Sequence, residues 1–280
     1  MRTRSAPAIL AWMLCVIGAF STSAGQSDPL TFQLRDAYLV IAQGAIGPLD
    51  RLNLLIDTGA IPGMVDGRIA RKLRLAIKEA EVVAFGRQSR AQLTTLPNVR
   101  VGPIRADSVL ADVGDLSFLG PHVDGIVGLD LLTRSSFSID YQQRQLTFGP
   151  VEATDPGLHL DVTPPFLTVK VELGGHPFRL LVDTGSSHLV LFERRVQGRL
   201  PALALRGDTL LYHTGGISHM RRVALPLLKA GSCTIANIEG LLSNADVTGY
   251  PDDIDGILAI RVLASMRADF DFERNRLGWK

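Results

Sequence analysis

Two Asp-Thr-Gly triplets carry residue types from which a hydrolytic site can be made: Asp57-Thr58-Gly59 and Asp183-Thr184-Gly185, 126 positions apart. Each follows a largely apolar run, Leu52 to Ile56 or Phe178 to Val182, that reads as a strand, so each carboxylate would emerge from a strand at a tight turn. Glycine in third place permits close backbone approach, and its amide can donate to the carboxylate. The threonine hydroxyls can bond across to the opposing loop and lock the two turns together. Face to face, the two aspartates would share one proton, because like charges ~3 Å apart cannot both ionise easily. The ionised member can then take a proton from a bridging water while the protonated member bonds the carbonyl oxygen of an amide. No metal, cofactor or covalent intermediate is required by that chemistry.

A single such triplet would read as an ordinary turn, since Asp and Gly are common turn residues. The weight comes from repetition. Leu52 to Ala60 matches Phe178 to Ser186 at the offset of 126. Asp124-Gly125-Ile126-Val127-Gly128-Leu129 matches Asp255-Gly256-Ile257-Leu258-Ala259-Ile260 at an offset of 131, and Ser138 to Tyr141 matches Asp269 to Phe272 at that same offset. The elements that must position the triplets are short apolar segments bounded by Gly and Pro, among them Tyr38 to Ala42 and Leu167 to Leu173, with Gly174-Gly175 as a hairpin signal. Helix is expected only at Asp66 to Leu73, with Asp66 as the cap, and in short turns after Gly128 and Ala259. Prolines and glycines cluster between Gly149 and Pro165, which marks the seam between copies. The reading is a leader over 1–24, one lobe over 25–151 and a second over 152–280.

With these residues in place, the chain resembles the aspartic peptidases, and within them the bacterial retropepsin-like group in a tandem, bilobal arrangement. The resemblance implies an all-β fold of two pseudo-symmetric retropepsin-like β-barrel lobes in one chain. It implies that Asp57 and Asp183 are catalytic and that Thr58 and Thr184 tie the two loops. Gly59, Gly185 and Ser186 would support the dyad, Ser186 through its hydroxyl, which Ala60 lacks. Substrate would lie under hairpin flaps corresponding to Val82 to Leu96 and Leu211 to Val223, with Gly86, Tyr212, Gly215 and Gly216 as candidate substrate-binding positions. The function implied is that of an aspartic endopeptidase acting on peptide or protein substrates as a monomer. One departure favours the alternative of a non-catalytic peptide- or ligand-binding protein on the same fold: Ala259 stands where the first copy has Gly128, and Arg261 where it has Asp130.

Other chemistries find little footing. The six histidines show no His-Glu-x-x-His pattern and no partner cysteine set for zinc. Asp252-Asp253-Ile254-Asp255 lacks the further ligands of a calcium loop and reads as a solvated loop. Gly-x-Ser-x-Gly is absent, and Cys233 has no cysteine-peptidase signature around it. The pairs Arg194-Arg195 and Arg221-Arg222 read as solvated faces. With 29 basic against 28 acidic residues, the chain has no polybasic footprint for nucleic acid. Its 280 residues, 46% hydrophobic, suffice for a buried core without disulfides. Arg2 and Arg4, the apolar run from Ala8 to Phe20 and Thr22-Ser23-Ala24 read as a secretory signal cleaved near Ala24. The run is shorter than the ~20 residues of a membrane span. Cys15 is then part of the signal, Cys233 has no disulfide partner in the mature chain, and a bacterial periplasmic or secreted location is expected without a stable membrane anchor.

Overall fold

The computed structural model describes residues 27–84, 87–152, 154–213, 216–244 and 250–280. The expected leader, 1–24, lies outside them. No helix among the described residues is long and apolar enough to cross a membrane. The chain is built almost wholly of strands, in two lobes that repeat one another and share a third sheet.

In the first lobe, Leu49–Ile56 delivers Asp57 and runs parallel to the short strand Gly125–Val127, with Leu54 opposite Gly125 and Ile56 opposite Val127. Gly63–Asp66 lies antiparallel on the other side of that short strand. The short strand is thus threaded between the chain entering and the chain leaving the first triplet. The second lobe repeats this: His176–Asp183 runs parallel to Gly256–Ala259, which Leu189–Phe192 flanks antiparallel. Asp124 and Asp255 clamp the two threads. The Asn53 amide donates to Asp124 Oδ2 at 2.9 Å and the Arg179 amide to Asp255 Oδ2 at 2.9 Å. Asp255 therefore belongs to a buried clamp, completed by Arg199, and not to a solvated loop. Arg195 likewise departs from a solvated face: its guanidinium donates to the carbonyls of Tyr250, at 3.0 Å, Pro251 and Ile254. Sequence pattern marks these residues as polar, but only the fold brings a backbone amide to Asp255 and backbone carbonyls to Arg195.

The central strands are apolar on both faces because each is sandwiched. Leu54 and Ile56 point into the main core, while Leu55 between them joins a smaller cluster with Leu39, Met64, Val123 and Ile126. Leu180 and Val182 face the main core in the same way, and Leu181 joins Val190, Ile254 and Ile257. The expected short helix is present as Gly67–Lys72, capped by Asp66, whose Oδ1 accepts from the Arg68 amide at 2.8 Å. Leu129–Leu132 and a 3-10 turn at Ile260–Val262 follow Gly128 and Ala259.

The lobes are joined by an antiparallel sheet of six strands, to which each contributes three: Leu30–Arg35, Gln145–Phe148 and Phe137–Asp140, then Arg267–Asp271, Arg276–Trp279 and Gly157–Thr163. At its centre Ser138 pairs with Asp269, and these are equivalent residues under the offset of 131. The pseudo-twofold axis therefore passes between them. Phe137 and Phe270 stack beside it, ring centroids 4.5 Å apart.

Candidate active site

The axis that relates the lobes also brings the two triplets together. Thr58 and Thr184 are buried at 3% and 0% exposure, and their hydroxyls form a closed set of four bonds. The Thr58 hydroxyl donates to the Val182 carbonyl at 2.8 Å and accepts from the Thr184 amide at 3.1 Å. The Thr184 hydroxyl donates to the Ile56 carbonyl at 2.8 Å and accepts from the Thr58 amide at 3.0 Å. Every polar atom of these two side chains is used, which is what makes a buried polar network worth its desolvation. Each bond crosses between lobes, so the turns cannot move independently.

The glycines close the remaining distance. A Cβ at Gly59 would stand 2.5 Å from the Asp183 carboxyl carbon, and one at Gly185 would stand 2.5 Å from Asp57 Oδ2. No other residue fits either place. The Gly59 amide donates to Asp57 Oδ1 at 2.8 Å and the Gly185 amide to Asp183 Oδ1 at 2.7 Å. The Ala60 and Ser186 amides also act on the neighbouring carboxyls, each favouring the ionised form. Ser186 thus contributes by its backbone: its hydroxyl donates to the His188 carbonyl at 3.2 Å and not to the dyad. A methyl serves as well there, which explains why Ala60 can be its counterpart.

Asp57 and Asp183 lie within hydrogen-bonding reach of one another at the floor of the cleft between the lobes. Burial raises both above the usual carboxylate range. Asp183 is raised well above it, by burial first and then by the negative charge of Asp57, against the opposing pull of the Gly185 amide. In Asp57 the amide of Gly59 is the main opposing influence. One proton between two carboxyls is the state this environment favours, and its titration belongs to the pair.

The departure at Ala259 is matched elsewhere. In the first lobe a Cβ at Gly128 would stand 2.5 Å from the Ala60 carbonyl and 2.9 Å from the Gly63 amide, and a Cβ at Gly63 would stand 2.5 Å from the Ile126 carbonyl. Under the repeat Gly63 becomes Leu189, so the second lobe carries side chains at both close-approach positions and buries Ala259 completely. Its carboxylate turn keeps the same bonds as the first. The feature that favoured a non-catalytic protein is thus a paired substitution, Leu189 for Gly63 and Ala259 for Gly128. Arg261 has a separate use: its guanidinium stacks over the Tyr141 ring at 4.3 Å, and its Nε donates to the Ala37 carbonyl of the other lobe at 3.1 Å.

The cleft encloses about 310 Å³ over the dyad. A larger cavity of about 640 Å³, beside Arg68, Arg71 and His122 in the first lobe, contains neither triplet. Of the candidate substrate-binding positions, Tyr212 lines the cleft near the end of the hairpin Ala204–His213 and Gly216–Ala224. Gly216 takes a left-handed φ of 118° with open space around it, while Gly86 and Gly215 lie outside the described residues. Polar cleft residues that escaped the sequence reading include Tyr38, Ser187, His188 and Tyr250. Ser187 and His188 could have been noticed by continuing the repeat past Ser186. Tyr38 and Tyr250 reach the cleft through a hairpin tip and a loop that no local pattern points to. Burial, and then the charge of Asp183, push the Tyr250 phenol up to about 12.

An aspartyl protease family model matches residues 42–131 and again 169–262, one match around each triplet. The chain belongs to the aspartyl protease family. Among solved structures, a retropepsin-like aspartic protease from Rickettsia conorii aligns with 44% of this chain and 89% of its own, at 22% identity and a TM-score of 0.32. No curated protein matches the chain. The two family matches lie on the two halves of the repeat, so the tandem, bilobal form of an aspartyl protease is seen in both sequence and fold.

Proposed function

We propose that the protein is an aspartic endopeptidase that hydrolyses peptide bonds with a water activated between Asp57 and Asp183. The observation that supports this most is the pair of carboxyls held within bonding reach by a cross-lobe threonine lattice, at the floor of a cleft of about 310 Å³. With one proton on the pair, the ionised carboxylate takes a proton from the water as its oxygen attacks the amide carbonyl carbon, and the protonated carboxyl gives its proton to the carbonyl oxygen. The tetrahedral diol then collapses. The proton taken from water passes to the departing nitrogen, one diol hydroxyl returns its proton to the dyad, and the pair is left with the single proton it began with. The symmetric amide donors on both carboxyls suit either to the role of base.

A transition-state mimic bearing a hydroxyl in place of the diol, of the statine type, tests the reading. The wild-type protein is expected to cleave a mixed peptide library and to be inhibited by the mimic in proportion to occupancy. Cleavage that continues unchanged with the mimic bound in the cleft contradicts it.

A further inference from the structure

The two loops that follow the triplets are related by the repeat but not by chemistry. After Gly59 the chain reads Ala60-Ile61-Pro62, and after Gly185 it reads Ser186-Ser187-His188. The second set is half-buried and lines the cleft. Ser187 Oγ lies 2.7 Å from His188 Nδ1, and Tyr38 of the opposite lobe lines the same end of the cleft. This set of two hydroxyls and an imidazole has no mate on the other side. Ile61 is 39% exposed and offers no polar side-chain atom. Tyr38 itself lacks an equivalent, because the first hairpin turns through Asp36, Ala37 and Tyr38 between the paired residues Arg35 and Leu39. The second turns through Pro164 and Pro165 alone, between Thr163 and Phe166. Arg261 holds the longer tip in place through the Ala37 carbonyl.

Burial lowers the His188 pKa, with Glu239 raising it and Arg222 adding to the fall, which favours the neutral imidazole. A neutral imidazole can accept from the Ser187 hydroxyl through Nδ1, and the His188 ring then presents an N–H of its own. Asp36 stands at the rim of this end, and the dyad carries one negative charge at its floor.

We propose that the cleft reads its substrate asymmetrically. On the flank of the scissile bond served by Tyr38, Ser187 and His188 it selects a hydrogen-bonding side chain that is neutral or cationic, and on the symmetry-related flank beside Ala60 it selects an apolar one. Acidic side chains are opposed at the polar end by Asp36 and the dyad. A site built to hydrogen-bond a side chain rejects one that leaves its buried polar groups unpaired. The proposal rests on the reading of the cleft as a peptide site, but not on turnover.

Affinity selection of a randomised peptide library on the full-length Asp183→Asn protein tests it without cleavage. Two positions of opposite character are expected among the bound peptides, one polar and non-acidic and one apolar. The double variant Tyr38→Phe with Ser187→Ala, in the same background, keeps nearly the same volume and removes two hydroxyls. It is expected to lose about tenfold in polar over apolar preference at the first position only, the scale of one hydrogen bond. Apolar selection at both positions, acidic selection at the polar one, or an unchanged preference in the double variant overturns the proposal. If wild-type protein cleaves nothing while the asymmetric selection appears, the peptidase reading fails and this one stands. Cleavage with equal apolar preference on both flanks gives the reverse result, and absence of any bound peptide overturns both.

Discussion

Asp57 and Asp183 are placed where burial and mutual repulsion act on the same proton, and that placement has a cost to the fold. In the unfolded chain each carboxyl ionises near pH 3.9, whereas the native pair retains a proton well above that value. Between the two, the native state holds more protons than the unfolded state, so stability falls as pH rises. Asp183→Asn removes its larger part, since Asp183 is the more strongly raised of the two. The variant is expected to melt at a higher temperature than wild type at pH 7, with the gap closing as pH falls towards 4. A thermal melt series over that range checks it, and a gap that widens on acidification would show that the native pair is ionised. At this scale the sequence was legible wherever the repeat spoke: both aspartates, both threonines and both glycines are at the centre of the site. Ser186 differs because its amide, and not its hydroxyl, does the supporting, a distinction that residue type cannot carry.

At the scale of elements, the two lobes solve one packing problem in two ways. The thread of Gly125–Val127 passes so close to the outgoing strand that Gly63 and Gly128 are both required, whereas the second lobe accommodates Leu189 and Ala259 at the equivalent positions. Gly128→Ala is therefore expected to cost about 1–3 kcal/mol as overpacking and to lower activity by displacing the Ala60 turn. Ala259→Gly should cost no more than about 1 kcal/mol, from backbone entropy and a lost methyl. Urea unfolding of both variants decides the matter: equal midpoints for Gly128→Ala and wild type would contradict the close approach. Apolar runs and turn residues made the strands and the Gly67–Lys72 helix legible. The short helix Glu193–Val196 was not, because four residues fall short of a helical period and its Arg195 is held by carbonyls from 250–254.

At the scale of the molecule, neither lobe holds a site alone. The six-stranded sheet places equivalent residues Ser138 and Asp269 opposite one another, the threonine bonds cross the same axis, and Arg261 ties the second lobe to the tip of the first. Duplication was readable from the offsets of 126 and 131, and with it the facing of the triplets. What the sequence left unread is the asymmetry of the cleft, since Tyr38 arises from a hairpin one residue longer than its mate and Tyr250 from a loop where the offset of 131 gives Leu119. The central claim is that one carboxyl from each lobe is needed for one reaction. The most direct measurement is kcat/KM for a single cleaved peptide with Asp57→Asn and Asp183→Asn made separately, each shown folded by its thermal melt. Each variant is predicted to lose at least ~10³-fold, within the range of a lost acid or base group. Full activity in either one would contradict the account.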